Sequence, residues 1–288
     1  MLLSRKVAFF SFISLVLLAI FAFYFAAVSR GKGLLTISFL DVGQGDAIYI
    51  EAPNGAQIVV DGRIANGKLL SELGALMPYF DRTIDAIIVT NPDADHYAGF
   101  LGLLPRYKVG LLLEPGARAE AATYASFEKK VEEKGIPKTI ARRGMNVVLD
   151  KERGVYLSIL FPDRDVSNWL ANDASIVAKL VYGSTTVMLQ GDATEKIEKY
   201  LLTLGAENLD ADILKVGHHG SKTSTAPEYV GAVSPDFAVI SNGKDNRYGH
   251  PHKETLDTLA KSNVPALRTD IEGRITFVSD GKKFVRKK

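Results

Sequence analysis

Cysteine is missing altogether from these 288 residues, which excludes disulfides, thiolate metal ligands and thiol nucleophiles together. Tryptophan occurs once, and neither charge sign prevails: 35 Lys and Arg stand against 33 Asp and Glu, a formal net charge of +2. So balanced a chain has no overall field to draw a polyanion. Its one local excess, Lys282, Lys283, Arg286, Lys287 and Lys288, reads as a solvated basic tail. No internal repeat or low-complexity tract appears, and beyond Val28 no long apolar run does either.

What is present begins with the uncharged apolar segment Val7 to Val28, flanked by Arg5 and Lys6 before it and Arg30 and Lys32 after it. Its length suits a bilayer span and exceeds the apolar core of an ordinary cleaved signal peptide. The expected organisation is a short flank (1–6), a transmembrane signal anchor (7–28), a linker (29–33) and one domain (34–288). The alternative is cleavage near Ala27-Val28-Ser29 and secretion. Matched positive flanks leave orientation open; a single domain behind an anchor is most often exported, so a single-pass protein of the cell membrane with its domain outside is expected. With one such segment, the chain is not expected to form a channel by itself.

The remainder alternates strands and helices. Period-two patterning predicts strands at Leu35–Leu40, Ala47–Glu51, Gln57–Val60, Ile84–Val89, Val109–Leu113, Val155–Phe161, Ala174–Val181, Thr186–Leu189, Ile213–Val216 and Phe237–Ile240. Helices are predicted over Lys68–Tyr79, Glu120–Lys134, Glu195–Leu204 and Glu254–Lys261. Two halves of similar texture suggest an α/β (α+β) four-layer αββα sandwich. A doubly wound parallel sheet competes, but the tight turns at Pro53-Asn54-Gly55 and Gly183-Ser184 join antiparallel neighbours.

Chemistry concentrates at strand exits. Asn91-Pro92-Asp93-Ala94-Asp95-His96 places two carboxylates and an imidazole just beyond a buried strand, where Pro92 stiffens the chain. The five histidines, His96, His218, His219, His250 and His252, all lie in or beside loops that follow apolar strands. Asp192 ends another such strand in Gly191-Asp192. A carboxylate shared by two divalent ions would promote ionisation of a water held between them, the chemistry of hydrolysis. A plain Asp-rich or Gly-Asp turn is the alternative for each segment taken alone.

Six ordered segments resemble the metallo-β-lactamase fold, and in particular the hydrolase domain of ComEC-type DNA-uptake proteins. They are Phe39 to Ala47, Val60-Asp61-Gly62, Asn91 to His96, Leu189 to Asp192, Lys215 to Ser224 and Asn246 to Pro251. The resemblance implies a metal-dependent hydrolase whose ligands come from Asp93, Asp95, His96, a bridging Asp192, and His218 or His219. Asp46, Asp61 and Asn91 would orient ligands by hydrogen bonds, with plain turn roles as the alternative. His250 or His252 would protonate the leaving group, and Ser221, Lys222 and His252 are candidates for substrate contact.

Two departures qualify it. Asn91 and Asp93 stand where the general fold has histidines, so oxygen donors replace imidazoles and favour Mn²⁺ or Mg²⁺ over Zn²⁺ at one ion, whose occupancy is in question. Arg63 replaces a glycine and either meets a phosphate or is solvated. The expected function is therefore a membrane-anchored, one- or two-metal phosphodiesterase or nuclease acting on extracellular DNA in competence-like uptake, with a separate translocation channel as partner. Its rivals are a phosphocholine-type esterase or lactonase on the same fold, and a metal-depleted domain that only binds DNA or envelope polymer.

Overall fold

The computed structural model describes residues 2–29, 33–65 and 67–287. Alternation along the strands builds it: in Ile48–Glu51, Ile48 and Ile50 face one side while Tyr49 faces the other, and all three are buried. Two faces buried on every central strand require cover on both sides, and the chain supplies it with a second sheet inward and helices outward.

The first sheet has eight strands in the spatial order Phe284–Lys287, Ile275–Ser279, Leu35–Phe39, Ile48–Glu51, Gln57–Val60, Ala86–Ile88, Leu112–Glu114 and Lys138–Ile140. It is antiparallel as far as Gln57–Val60 and parallel from there on. The second has seven: Ala266–Arg268, Phe237–Ile240, Ile213–Lys215, Thr185–Leu189, Val177–Tyr182, Val155–Phe161 and Asn146–Asp150. Here the first four run parallel and the rest antiparallel. Mixed pairing within each sheet excludes the purely parallel, doubly wound alternative.

Ile37, Phe39, Ile50, Ile58 and Ile88 of the first sheet meet Leu157, Leu180, Val187, Ile213 and Val239 of the second in one inner core. On the outer face of the first sheet, Tyr49, Val59 and Ile87 pack on helices Lys68–Leu76, Phe100–Leu103 and Ala122–Glu133. On the other side Met188, Leu214 and Ile240 pack on Glu195–Thr203, Pro227–Val233 and Lys253–Lys261. The four layers of the expected sandwich are present.

Several boundaries differ from the periodicity reading. The run Ile84–Val89 is broken at Asp85, whose carboxylate accepts from the Gln57 backbone N–H at 2.7 Å. Asp95 and His96 sit not in a loop but within the short helix Ala94–Tyr97. The basic tail is not merely solvated: Phe284–Lys287 pairs antiparallel with Ile275–Ser279 as an edge strand, where cations discourage further strand addition.

At the amino terminus, Leu2–Ser29 forms a single helix with exposed apolar side chains such as Phe9, Phe12, Leu15 and Leu18. Among the described residues no helix is long and apolar enough to cross a membrane, so the span expected at 7–28 is not supported by the fold.

One buried acid links an outer helix to the loops that carry histidines. Glu198 accepts from the N–H groups of Thr225 and Ala226 at 2.7 and 2.8 Å and from Gln190 Nε2 at 2.8 Å. Burial nevertheless pushes its carboxyl up to about 7, against the pull of those donors. An acid raised in the folded state favours folding fully below its unfolded value near 4.5 and loses that contribution as pH climbs through 7. Thermal melts at stepped pH should show Glu198→Gln gaining on the wild-type chain between pH 4.5 and 7, by roughly 3 kcal/mol over the window.

Candidate metal centre

The two sheets deliver their loops to one end of the sandwich, and there the polar segments meet. Asp61 follows the strand Gln57–Val60, and its carboxylate accepts from Thr90 N–H at 2.8 Å, from Thr90 Oγ1 at 2.7 Å and from His96 Nδ1 at 2.8 Å. That contact fixes the His96 proton on Nδ1 and turns Nε2 to Asp192, 3.2 Å away. Gly99 lets the short helices press onto this base, since a Cβ there would meet the Gly62 carbonyl oxygen at 1.7 Å.

His219 is held the same way from the opposite sheet. Its Nδ1 lies 3.1 Å from both Asp46 Oδ1 and the Ser241 carbonyl. Its Nε2 faces Asp95 Oδ2 and Asp192 Oδ1, each at 3.5 Å. Asp46 in turn takes Lys215 Nζ at 2.7 Å, and that ammonium, wholly buried, also donates to the Val216 carbonyl at 2.9 Å. His218 stands on the far side of Asp192, with Nε2 3.8 Å from Oδ2 and Nδ1 2.9 Å from Thr223 Oγ1. Both histidines adopt positive φ, 48° and 55°, inside Gly217–Gly220. Adjacent left-handed residues with side chains are strained, and such strain persists where the surroundings dictate the geometry.

A cation fits this cluster on an observation independent of kinship. His96 Nε2, His219 Nε2 and Asp192 Oδ1 are buried with no hydrogen-bond partner, and buried polar atoms are otherwise satisfied. Among the described residues, Asp95, His96 and His219 offer ligand atoms within 4.8 Å of one another, as do Asp46, His96 and Asp192. In the second group Asp46 is already neutralised by Lys215 and bonded to His219, so we read it as a positioner and Asp192 as the donor. The two imidazoles and two carboxylates, Asp95 and Asp192, form a nitrogen and oxygen set that suits borderline or hard divalent ions.

Charge points the same way. Burial alone would lower both imidazoles, yet Asp192 and Asp61 raise His96 well above its ordinary value, and Asp192 and Asp46 push His219 up to about 10. Burial would raise Asp192 and Asp46, but the facing histidines, and Lys215 for Asp46, hold both well below the usual carboxylate range. Asp95 is held at about 2 against burial by His219 and His96. This is a pocket of negative potential that protons fill when no cation does.

Other expected site residues fall elsewhere. Asn91 is buried, with Oδ1 accepting from Asp93 N–H at 2.9 Å and Nδ2 3.2 Å from Ser175 Oγ, so it braces the turn instead of facing the cluster. Asp93 is exposed as a residue and outside both ligand groups, yet partial burial of its carboxyl beside the cluster raises its pKa, with Asp95 and Asp192 adding to the rise and His96 and His218 opposing it. Ser221, expected at substrate, is buried, its Oγ 3.0 Å from the Thr223 hydroxyl that contacts His218. Lys222 is exposed and its N–H donates to His252 Nδ1 at 3.1 Å. His250 lies between His218 and His252, ring centroids 5.6 and 4.9 Å away. Burial first, then the neighbouring histidines, lower it to about 4, so near neutrality its imidazole is mostly in the neutral form. Arg63 is half-buried, donating from Nε to the Gln44 carbonyl at 2.6 Å, and so is not the solvated arginine of one expectation.

Sequence reasoning passed over Lys215, Thr90 and Thr223. The signal for Lys215 was available: a charge inside the apolar strand Ile213-Leu214-Lys215 must be paired if it is buried. Lys215→Met should destabilise the chain by about 3–5 kcal/mol in urea unfolding, because it strands the Asp46 carboxylate.

Comparison with known proteins agrees with this geometry. The model of the metallo-beta-lactamase superfamily matches residues 40–244. ComE operon protein 3 of Bacillus subtilis is 30% identical over 261 residues, covering 84% of this chain and 32% of its own length. Recombination protein 2 of Haemophilus influenzae is 32% identical over 85% of this chain and 29% of its own. Competence protein ComA of Neisseria gonorrhoeae is 26% identical over 87% and 33%. The chain thus spans about a third of the length of the curated relatives it matches. Among solved structures, CmlA, a diiron beta-hydroxylase from Streptomyces venezuelae, superposes with a TM-score of 0.54 at 13% identity, over 88% of this chain and 54% of that one. Zn(2+)-bound PqqB from Methylobacterium extorquens gives 0.50 at 11% identity, over 78% and 85%. These two likenesses establish the fold alone. With the αββα layers, the strand-end carboxylates and imidazoles, and a family match over most of its length, the chain belongs to the metallo-beta-lactamase superfamily.

Proposed function

We propose that the chain is a divalent-metal-dependent phosphodiesterase acting on DNA outside a membrane, to which residues 7–28 anchor it. The observation that carries the hydrolase part is the convergence of three buried, unpartnered ligand atoms, His96 Nε2, His219 Nε2 and Asp192 Oδ1. Asp95, His96, Asp192 and His219 would hold one ion; His218, with Asp192 shared and Asp93 nearby, is the place for a second. Mn²⁺ and Zn²⁺ are the candidates, with Mg²⁺ the harder alternative. A bound ion of this kind lowers the pKa of a water and offsets charge that builds on the phosphoryl oxygens.

The chain's own residues do the rest. Asp61 and Asp46 keep the proton of each imidazole on Nδ1, so that both Nε2 lone pairs face inward. Lys215 fixes Asp46 and compensates its charge. His250, held neutral, is available at the mouth to hydrogen-bond a substrate oxygen or a leaving group. DNA as substrate is supported by relatives named for competence and for recombination; a DNA-translocation channel is the proposed partner. The anchor is supported by the exposed apolar side chains of the Leu2–Ser29 helix, Phe9, Phe12, Leu15 and Leu18 among them.

The test is cleavage by the full-length chain in detergent, with single- and double-stranded DNA, a phosphocholine ester and a lactone offered under Mn²⁺, Zn²⁺ and Mg²⁺. DNA cleavage with at least one ion is expected, falling at least about 10³-fold in Asp192→Ala together with loss of bound metal. Cleavage confined to the other esters would replace the substrate, and a chain retaining no metal would leave a binding module. For the anchor, the full chain should stay in the membrane pellet after alkaline washing, while a chain shortened to residue 33 onward should not.

A further inference from the structure

A cavity of about 470 Å³ opens beside the candidate metal centre, lined by Gln44, Ile64, Asp95, Asn246, Arg247 and Tyr248 among others. Its wall is shared with that centre, because Asp95, whose carboxylate faces His219, is also one of the residues lining the cavity. The remaining walls are unlike a metal site. Tyr248 and Ile64 are 47% and 44% exposed, an aromatic plate and an aliphatic side chain open to solvent. The Arg247 guanidinium lies 4.8 Å over the Tyr248 ring and donates from Nη2 to its hydroxyl at 2.7 Å. Its described polar partner is thus a phenol, not a carboxylate, and its positive charge stays available at the rim.

The plate is held firmly. Asn246 Oδ1 accepts from the N–H groups of Tyr248 and His250 at 3.2 and 3.0 Å, while Asn246 Nδ2 donates to the carbonyls of His250 and Gly243 at 2.6 and 2.9 Å. The Tyr248 ring lies nearly parallel to that of His250, 24° between planes and 5.6 Å between centroids. An aromatic ring with an apolar neighbour recognises a flat ring once the Arg247 guanidinium swings off it, and that guanidinium, whose described polar partner is an uncharged hydroxyl, recognises phosphate. The volume is in the range that encloses a small organic group.

We propose that this cavity takes one unstacked nucleobase of single-stranded DNA, stacked on Tyr248 with Arg247 on a flanking phosphate, so that the adjoining phosphodiester lies at Asp95. The inference rests on the phosphodiesterase reading and sharpens it: the preferred substrate is a single strand or frayed end, since a base inside a duplex is not free to enter. Stacking tolerates any base, so little sequence preference accompanies it.

The experiment uses the full-length chain and a labelled single-stranded oligodeoxynucleotide of about ten nucleotides, within ordinary single-strand site sizes, beside an abasic strand of equal length. Fluorescence anisotropy on the Asp192→Ala chain reads binding, and kcat/KM of the otherwise wild-type chain reads cleavage. About tenfold tighter binding of the base-bearing strand is expected, a difference erased by Tyr248→Ala and retained by Tyr248→Phe. Equal affinity and equal kcat/KM for the two strands would overturn the subsite while leaving a phosphodiesterase. Base-dependent binding without cleavage by the wild-type chain would leave the subsite and remove the phosphodiesterase. Discrimination undiminished in Tyr248→Ala would overturn the assignment to this cavity.

Discussion

The site is organised around an ammonium where a sandwich core would ordinarily admit none. Lys215 belongs to a central strand of the second sheet, and its Nζ ends on Asp46, which follows the first strand of the other sheet. Both groups are almost wholly buried, so each makes the other tolerable only while the sheets stay in register. Asp46 then passes that constraint on to His219, and His219 to the centre of the cluster. Asp61 does the same for His96 from within the first sheet alone. The two imidazoles therefore report on different things: one on a single loop, the other on the fit of two sheets.

The fold was largely readable because burial on both faces leaves a strong imprint. Val155–Phe161 alternates along its whole length and was delimited to the residue, and the glycine-containing turns announced their hairpins. The strands that escaped, Lys138–Ile140, Asn146–Asp150, Ala266–Arg268, Ile275–Ser279 and Phe284–Lys287, lie at or next to sheet edges or carry polar side chains outward. There local periodicity is diluted and pairing with a distant partner decides the conformation. The Phe284–Lys287 strand is the plainest case: its composition reads as a tail, and only the neighbouring strand Ile275–Ser279 makes it part of a sheet.

For the site, residue types at strand exits pointed to the right region, since short polar motifs after apolar runs are local signals. What they did not contain was direction. Asn91 and Ser221 belong to motif segments yet turn into hydrogen bonds that hold loops together. Asp93 and Asp95 are two residues apart, but the turn into the helix Ala94–Tyr97 brings Asp95 Oδ2 within 3.5 Å of His219 Nε2 and leaves Asp93 outside that ligand group. Side-chain direction depends on φ and ψ, which motif spacing leaves undetermined, as the left-handed pair His218 and His219 makes clear. The role of Lys215 was hidden for another reason, its partner lying 169 positions away.

That separation bears on how the protein comes into being. A contact between residues 169 and 173 positions apart, such as Lys215–Asp46 or His219–Asp46, closes a very long loop, and topologies dominated by such contacts fold slowly. On a ribosome the first sheet's opening strands emerge long before Lys215 does, so the Asp46 carboxylate must wait in water for its partner. A half-made chain therefore has no assembled cluster, and hydrolytic capacity arises only with completion of the second sheet. On the phosphodiesterase reading proposed above, a site that cannot exist before the domain is whole would confine cleavage to finished copies of the chain.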